Sequence, residues 1–120
     1  MSRLVEALDA ACPGFVPDPA DVGLPYIWMG DFVRHLTRAR LDGREEEMAA
    51  VFAVIETVIA DDGPEAELAI IGFLEDLQNG NLHPEGSKPA DFRPYLGPET
   101  LKQWDALNGF WGAVEDWKGR

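Results

Sequence analysis

Along this chain apolar residues recur every three or four positions far more often than they alternate, which is the spacing of one face of an α-helix. The clearest case is REEEMAAVFAVIETVIAD, where Met48, Val51, Phe52, Ile55, Val58 and Ile59 form one stripe. Three glutamates open that stretch, and they suit the positive end of a helix dipole. Ser2 can cap a first helix over residues 3–11, with Leu4, Val5, Leu8 and Ala11 on one face. The proline-rich CPGFVPDPADVGLP stops it as a loop. A second helix starts near Pro25 and runs through YIWMGDFVRHLTRARL, with Ile27, Trp28, Phe32, His35, Leu36 and Ala39 on a shared side and Gly43 ending it.

DDGP separates the third helix from the fourth, Gly63 lying past the helix end and Pro64 suiting the first position of the next. In PEAELAIIGFLEDLQ apolar side chains occupy most of the circumference. Ala66, Ala69, Ile70, Phe73, Leu74 and Leu77 share one side and Leu68 and Ile71 another, so this helix is expected at the centre. Gly72 would admit a close neighbour, and Gly80 is the natural left-handed cap. The connection NGNLHPEGSKPADFRPYLGP is long for a small domain, and Phe92, Tyr95 and Leu96 are expected to pack it across the bundle. The last helix, PETLKQWDALNGFWGAVEDWKG, carries a stripe of Leu101, Trp104, Leu107, Trp111 and Val114 and a second with Phe110 and Trp117. With 120 residues, enough for one core and too few for two, the expectation is a single all-α domain over residues 1–120. It reads as a bundle of about five helices with a long loop before the last.

Charge changes the picture from fold toward function. The net charge is −12, and residues 41–80 hold eleven acids against one base, Arg44. Such a surface repels phosphate polymers, which counts against nucleic acid, and it attracts a basic protein partner. No stretch approaches the roughly 18 apolar residues that cross a bilayer, and MSRLVEALDAACPGF lacks the uninterrupted apolar run of a secretory signal. A cytoplasmic location is therefore expected, with no membrane partner. One cysteine, Cys12, agrees with a reducing compartment and reads as a semi-buried thiol at a helix end.

The sequence carries no recognisable reaction motif. Di-metal carboxylate bundles need Glu-x-x-His pairs, and neither His35 nor His83 follows an acid at that spacing. A magnesium pattern of Glu-Glu-x-x-Glu fails because Ala49 or Ala50 stands where the third acid belongs. Ser2 and Ser87 sit in no nucleophile turn, and there is no phosphate-cradling glycine loop. His35 reads as a packed or surface residue and His83 as a turn residue. Arg34, Arg38 and Arg40 are expected to pair with the chain's own acidic third. No catalytic residue, metal ligand or cofactor is assigned.

IIGFLEDLQN and YLGPETLKQWDALNGFW resemble the signatures of an uncharacterised family of small acidic bacterial proteins, with FLEDLQ followed by LGP, Trp and Phe-Trp. Together they cover less than a third of the chain. The resemblance implies immunity-type proteins of polymorphic toxin systems, which bind a secreted toxin and carry no catalytic residues. The expected function is thus to bind and neutralise a cognate basic toxin, with Glu45, Glu46, Asp61, Asp62, Glu65 and Asp76 as partner contacts. Two alternatives come from other classes: a small metal-dependent carboxylate enzyme, and a structural or homo-oligomeric interaction protein joined through Phe110 and Trp117.

Overall fold

The computed structural model describes residues 2–21 and 23–118, with side chains as far as Asn108. Its elements are helical, and no strand occurs among the described residues. Ser2 caps α1 (Arg3–Ala11), its hydroxyl accepting from the Val5 N–H, and Leu4 and Leu8 face inward. A short 3₁₀ turn at Pro19–Asp21 leads to α2 (Pro25–Leu41), which begins with Pro25 in the first turn as the sequence predicts. Gly43 follows its end at φ 78°, a backbone region that disfavours other residues. α3 (Glu45–Asp61) buries Met48, Val51, Phe52, Ile55 and Ile59.

Two helix ends depart from the expectation. Gly63 lies past the end of α3 as expected, but the left-handed residue that ends the helix is Asp62, at φ 51°. Asp tolerates this conformation because its short polar side chain can bond locally. The fourth helix is π-helical over Leu68–Leu74 before it tightens into an α-turn at Glu75–Gln78, and the two are called α4 together. Widening the turn lines up residues five apart, so Leu68 with Phe73 and Ala69 with Leu74 face the core, while Ile71 is turned outward. Gly72 packs against Tyr26 and Met29 of α2. Asn79, in extended backbone, ends α4, and Gly80 opens a 3₁₀ turn instead of forming a left-handed cap.

α5 (Pro98–Lys118) closes the bundle on α3. Trp104 is buried and Leu107 packs partly against the core. The second stripe through Phe110 and Trp117, like Trp111 and Val114, lies outside the described side chains. The connection before α5 contains a 3₁₀ segment, Pro89–Tyr95, which sequence periodicity read only as loop. It does cross the bundle: Phe92 is fully buried, with Tyr95 and Leu96 packed beside it.

One core joins all these elements. Trp28 and Phe32 stack at 5.0 Å, and Phe15 from the α1–α2 loop meets both edge-on at 5.4 Å. Ile27 was expected on the inner face of α2 but is 57% exposed. Val33 and Thr37 take that face instead, the Thr37 hydroxyl donating back to the Arg34 carbonyl. Among the described residues no helix is long and apolar enough to cross a membrane.

Candidate functional site

The six acids expected to contact a partner do not form one patch. Glu45 and Glu46 open α3 and Asp61 closes it, about 24 Å away at 1.5 Å per residue. Glu45 accepts from the Tyr95 hydroxyl at 3.0 Å, which ties the long connection to α3. Glu65 lies beyond α3 and accepts from the Ser2 hydroxyl at 2.9 Å and the Arg3 N–H at 2.7 Å, so it caps α1 from another part of the chain. Asp76 is half-buried near Gly30 of α2, and burial, followed by the charge of Glu75, raises its carboxyl to about 6. Asp61 and Asp62 are exposed, as is Glu46.

The structure adds acids that the sequence reading did not select. One flank of α1 borders a depression of about 460 Å³ lined by Glu6, Asp9, Asp18 and Asp21, with Leu24 and Trp28 among its apolar walls. None of its lining residues is basic. Asp21 is only 7% exposed, and its Oδ2 has no hydrogen-bond partner among the described residues. The neighbouring Asp31 carboxyl, then burial, raises the Asp21 carboxyl to about 6. The opposite flank of α1 borders a second depression where Asp61 and Glu65 stand with Arg3. The helix is thus bracketed by acids contributed from the α1–α2 loop on one side and the α3–α4 junction on the other. Only the fold could reveal this, because α1 itself carries just Glu6 and Asp9.

The sulfur of Cys12 is fully buried at the end of α1 and donates to Glu47 Oε2 at 3.3 Å. Burial foremost, then this hydrogen bond and the Glu47 charge, push the thiol up to about 12. So raised, the thiol holds its proton at neutral pH. His35 abuts Phe15 with ring centroids 5.3 Å apart, and burial lowers its pKa by disfavouring the charged ring.

The scan of protein families matches residues 5–112 to Domain of unknown function (DUF7674). The chain belongs to this family. No curated protein and no solved structure matches it.

In this DUF7674 domain the basic residues of α2 behave differently from expectation. Arg40 pairs with Asp91 of the long connection at 3.6 Å and sits 5.7 Å over the Phe92 ring, rather than reaching the acids of the middle third. Arg34 and Arg38 make no ion pair within 4.0 Å among the described residues and border a small depression with Asn81, His83 and Pro84. His83 is more than a turn residue. Its Nε2 lies 2.7 Å from the Leu77 carbonyl and its Nδ1 2.8 Å from the Ser87 hydroxyl. The Leu77 carbonyl can only accept, so Nε2–H donates to it, and the ring clasps the end of α4 to the following loop.

Proposed function

We propose that the chain is an immunity-type protein that binds and neutralises a toxin with a basic surface, using the acidic surface around α1 and the α3–α4 junction. The observation that supports this reading is the ring of Glu6, Asp9, Asp18 and Asp21 around apolar walls without a basic side chain in the lining. Such a pocket suits a lysine or arginine side chain. The methylene stem lies along Leu24 and Trp28 while the head group meets the carboxylates of the lining. Exposed Asp61 and Asp62 extend the same field across α1.

The alternative of a carboxylate metal enzyme requires several acids to converge on one ion. Among the described residues no three carboxylates bring their oxygens within 4.8 Å of one another, so the acids of this pocket ring a space rather than chelate. That arrangement favours a binder.

The test is capture of a toxin encoded beside this gene, followed by titration calorimetry with two charge-reversed proteins, Asp61→Lys/Asp62→Lys and Glu6→Lys/Asp9→Lys. Both reversals are expected to weaken binding at least tenfold at low salt, with the loss shrinking as salt rises. Unchanged affinity at low salt for both proteins would reject the electrostatic reading.

A further inference from the structure

Cys12, His35 and Glu47 come from the end of α1, the middle of α2 and the first turn of α3, yet one ligand atom from each lies within 4.8 Å of the other two. We propose that this trio is a binding site for one zinc-class divalent ion, which would staple the three helices at a single point.

The donor set selects the ion class. A thiolate, an imidazole and a carboxylate suit a borderline-soft metal such as Zn²⁺ or Co²⁺, whereas Mg²⁺ and Ca²⁺ take oxygen ligands. In a tetrahedral site with bonds of about 2.0–2.3 Å, neighbouring ligand atoms stand about 3.3–3.8 Å apart. A closure of at most about 1.5 Å therefore completes the geometry, and Cys12 Sγ and Glu47 Oε2 are already 3.3 Å apart.

The surroundings fit an ion better than they fit a plain core. His35 Nε2 is buried and has no hydrogen-bond partner among the described residues, although a buried polar nitrogen ordinarily finds one. Phe15 packs against the ring and shields that side from water. Glu47 presents one oxygen to the sulfur while Arg44 Nη1 approaches the other at 3.7 Å, so the carboxylate is held by a second group as ligating carboxylates usually are. Arg44 is about half exposed, and its guanidinium can move into water when a dication enters. On binding, the Cys12 proton leaves to solvent and a sulfur electron pair goes to the metal, with no change of oxidation state. Three protein ligands leave the fourth position to water or an incoming group.

The full chain, stripped of metal with a chelator, is titrated with Co²⁺ and then with Zn²⁺. The expected result is one ion per chain, a thiolate-to-cobalt charge-transfer band in the near ultraviolet that Zn²⁺ displaces, and a rise in melting temperature. Cys12→Ser removes the band, and His35→Gln and Glu47→Gln each raise the dissociation constant at least tenfold. Circular dichroism establishes that each variant is folded. If Cys12→Ser does not fold, the His35→Gln and Glu47→Gln titrations decide the matter alone. Absence of the band in the unaltered protein, or equal affinity in folded His35→Gln and Glu47→Gln, overturns the proposal. Toxin binding plays no part in these readouts, so either idea can fail without the other.

Discussion

Glu56 on α3 caps the first turn of α5 through Thr100: one carboxylate oxygen accepts from both the backbone N–H and the hydroxyl of Thr100, each at 2.8 Å. Its other oxygen accepts from the Glu99 N–H at 3.1 Å. These are two of the four donors that a helix N-terminus leaves unpaired, and a negative charge there also meets the positive end of the helix dipole. Burial works against the Glu56 charge, but the Thr100 and Glu99 bonds outweigh it and lower the pKa.

Glu56→Ala is expected to cost about 2 kcal/mol of folding stability, from the loss of charged hydrogen bonds in a part-buried place. Gly97→Ala should act through the same contact, because a Cβ at that position would lie 2.5–2.8 Å from the Glu56 side chain and displace it. Urea unfolding of both single variants and the double variant checks this. The Gly97→Ala cost should shrink clearly in the Glu56→Ala background, and strictly additive losses would refute the shared contact.

Glu65→Ala should destabilise α1 by about 1–2 kcal/mol, since it removes acceptors from Ser2 and Arg3. Asp61→Asn, at an exposed position, should change stability by less than about 0.5 kcal/mol. Chemical denaturation of the two proteins separates them. Equal stability would mean that the Glu65 contacts contribute nothing, and it would restore Glu65 as a clean probe of partner binding.

Acidification has opposite consequences at two carboxylates. Asp76 binds its proton more readily folded than unfolded, so stability falls as pH rises from about 4 to about 6. Asp76→Asn should therefore stabilise the protein at pH 7 on the order of 1 kcal/mol, after allowance for its partial exposure, with no gain near pH 4. Glu56 has a lowered pKa, and its contribution is present above its unfolded value near 4.5 and lost as pH falls through its folded one. Unfolding free energies of Asp76→Asn and Glu56→Gln measured from pH 3 to pH 7 test both signs.

Asp62→Gly should stabilise α3 by about 0.5 kcal/mol, because Asp62 holds a left-handed conformation that glycine adopts without a Cβ penalty. A fall in melting temperature would show that the Asp62 side chain makes a compensating local bond.

How much of this was legible in the sequence follows the range of each interaction. The boundaries of α1, α2 and α3 were readable because Ser2, Pro25 and the Met48–Ile59 stripe are local signals. Phe92 was readable as an anchor because nothing else explains so large an apolar residue in a polar loop. The π-helical turn in α4 was not, since Leu68, Phe73 and Leu74 also satisfy an ordinary helical pattern when most of the circumference is apolar. Acids were the hardest to assign. Glu56 and Glu65 find their partners more than forty residues away, and nothing in composition separates them from the exposed Asp61 and Asp62. The same holds for Cys12, His35 and Glu47, whose meeting depends on how three helices cross.

The two capping carboxylates divide the acids of this domain into those facing outward and those already engaged with the ends of its own helices. Glu56 and Glu65 count fully toward the formal charge of −12, yet each is neutralised locally by aligned backbone dipoles before a visitor arrives. The valence felt by an approaching cationic protein is smaller than the residue count states. The charge is also uneven, with Asp61, Asp62 and the Glu6–Asp9 flank left free of helix ends, so a cationic partner of the proposed kind would meet a patterned surface rather than a uniformly negative sphere.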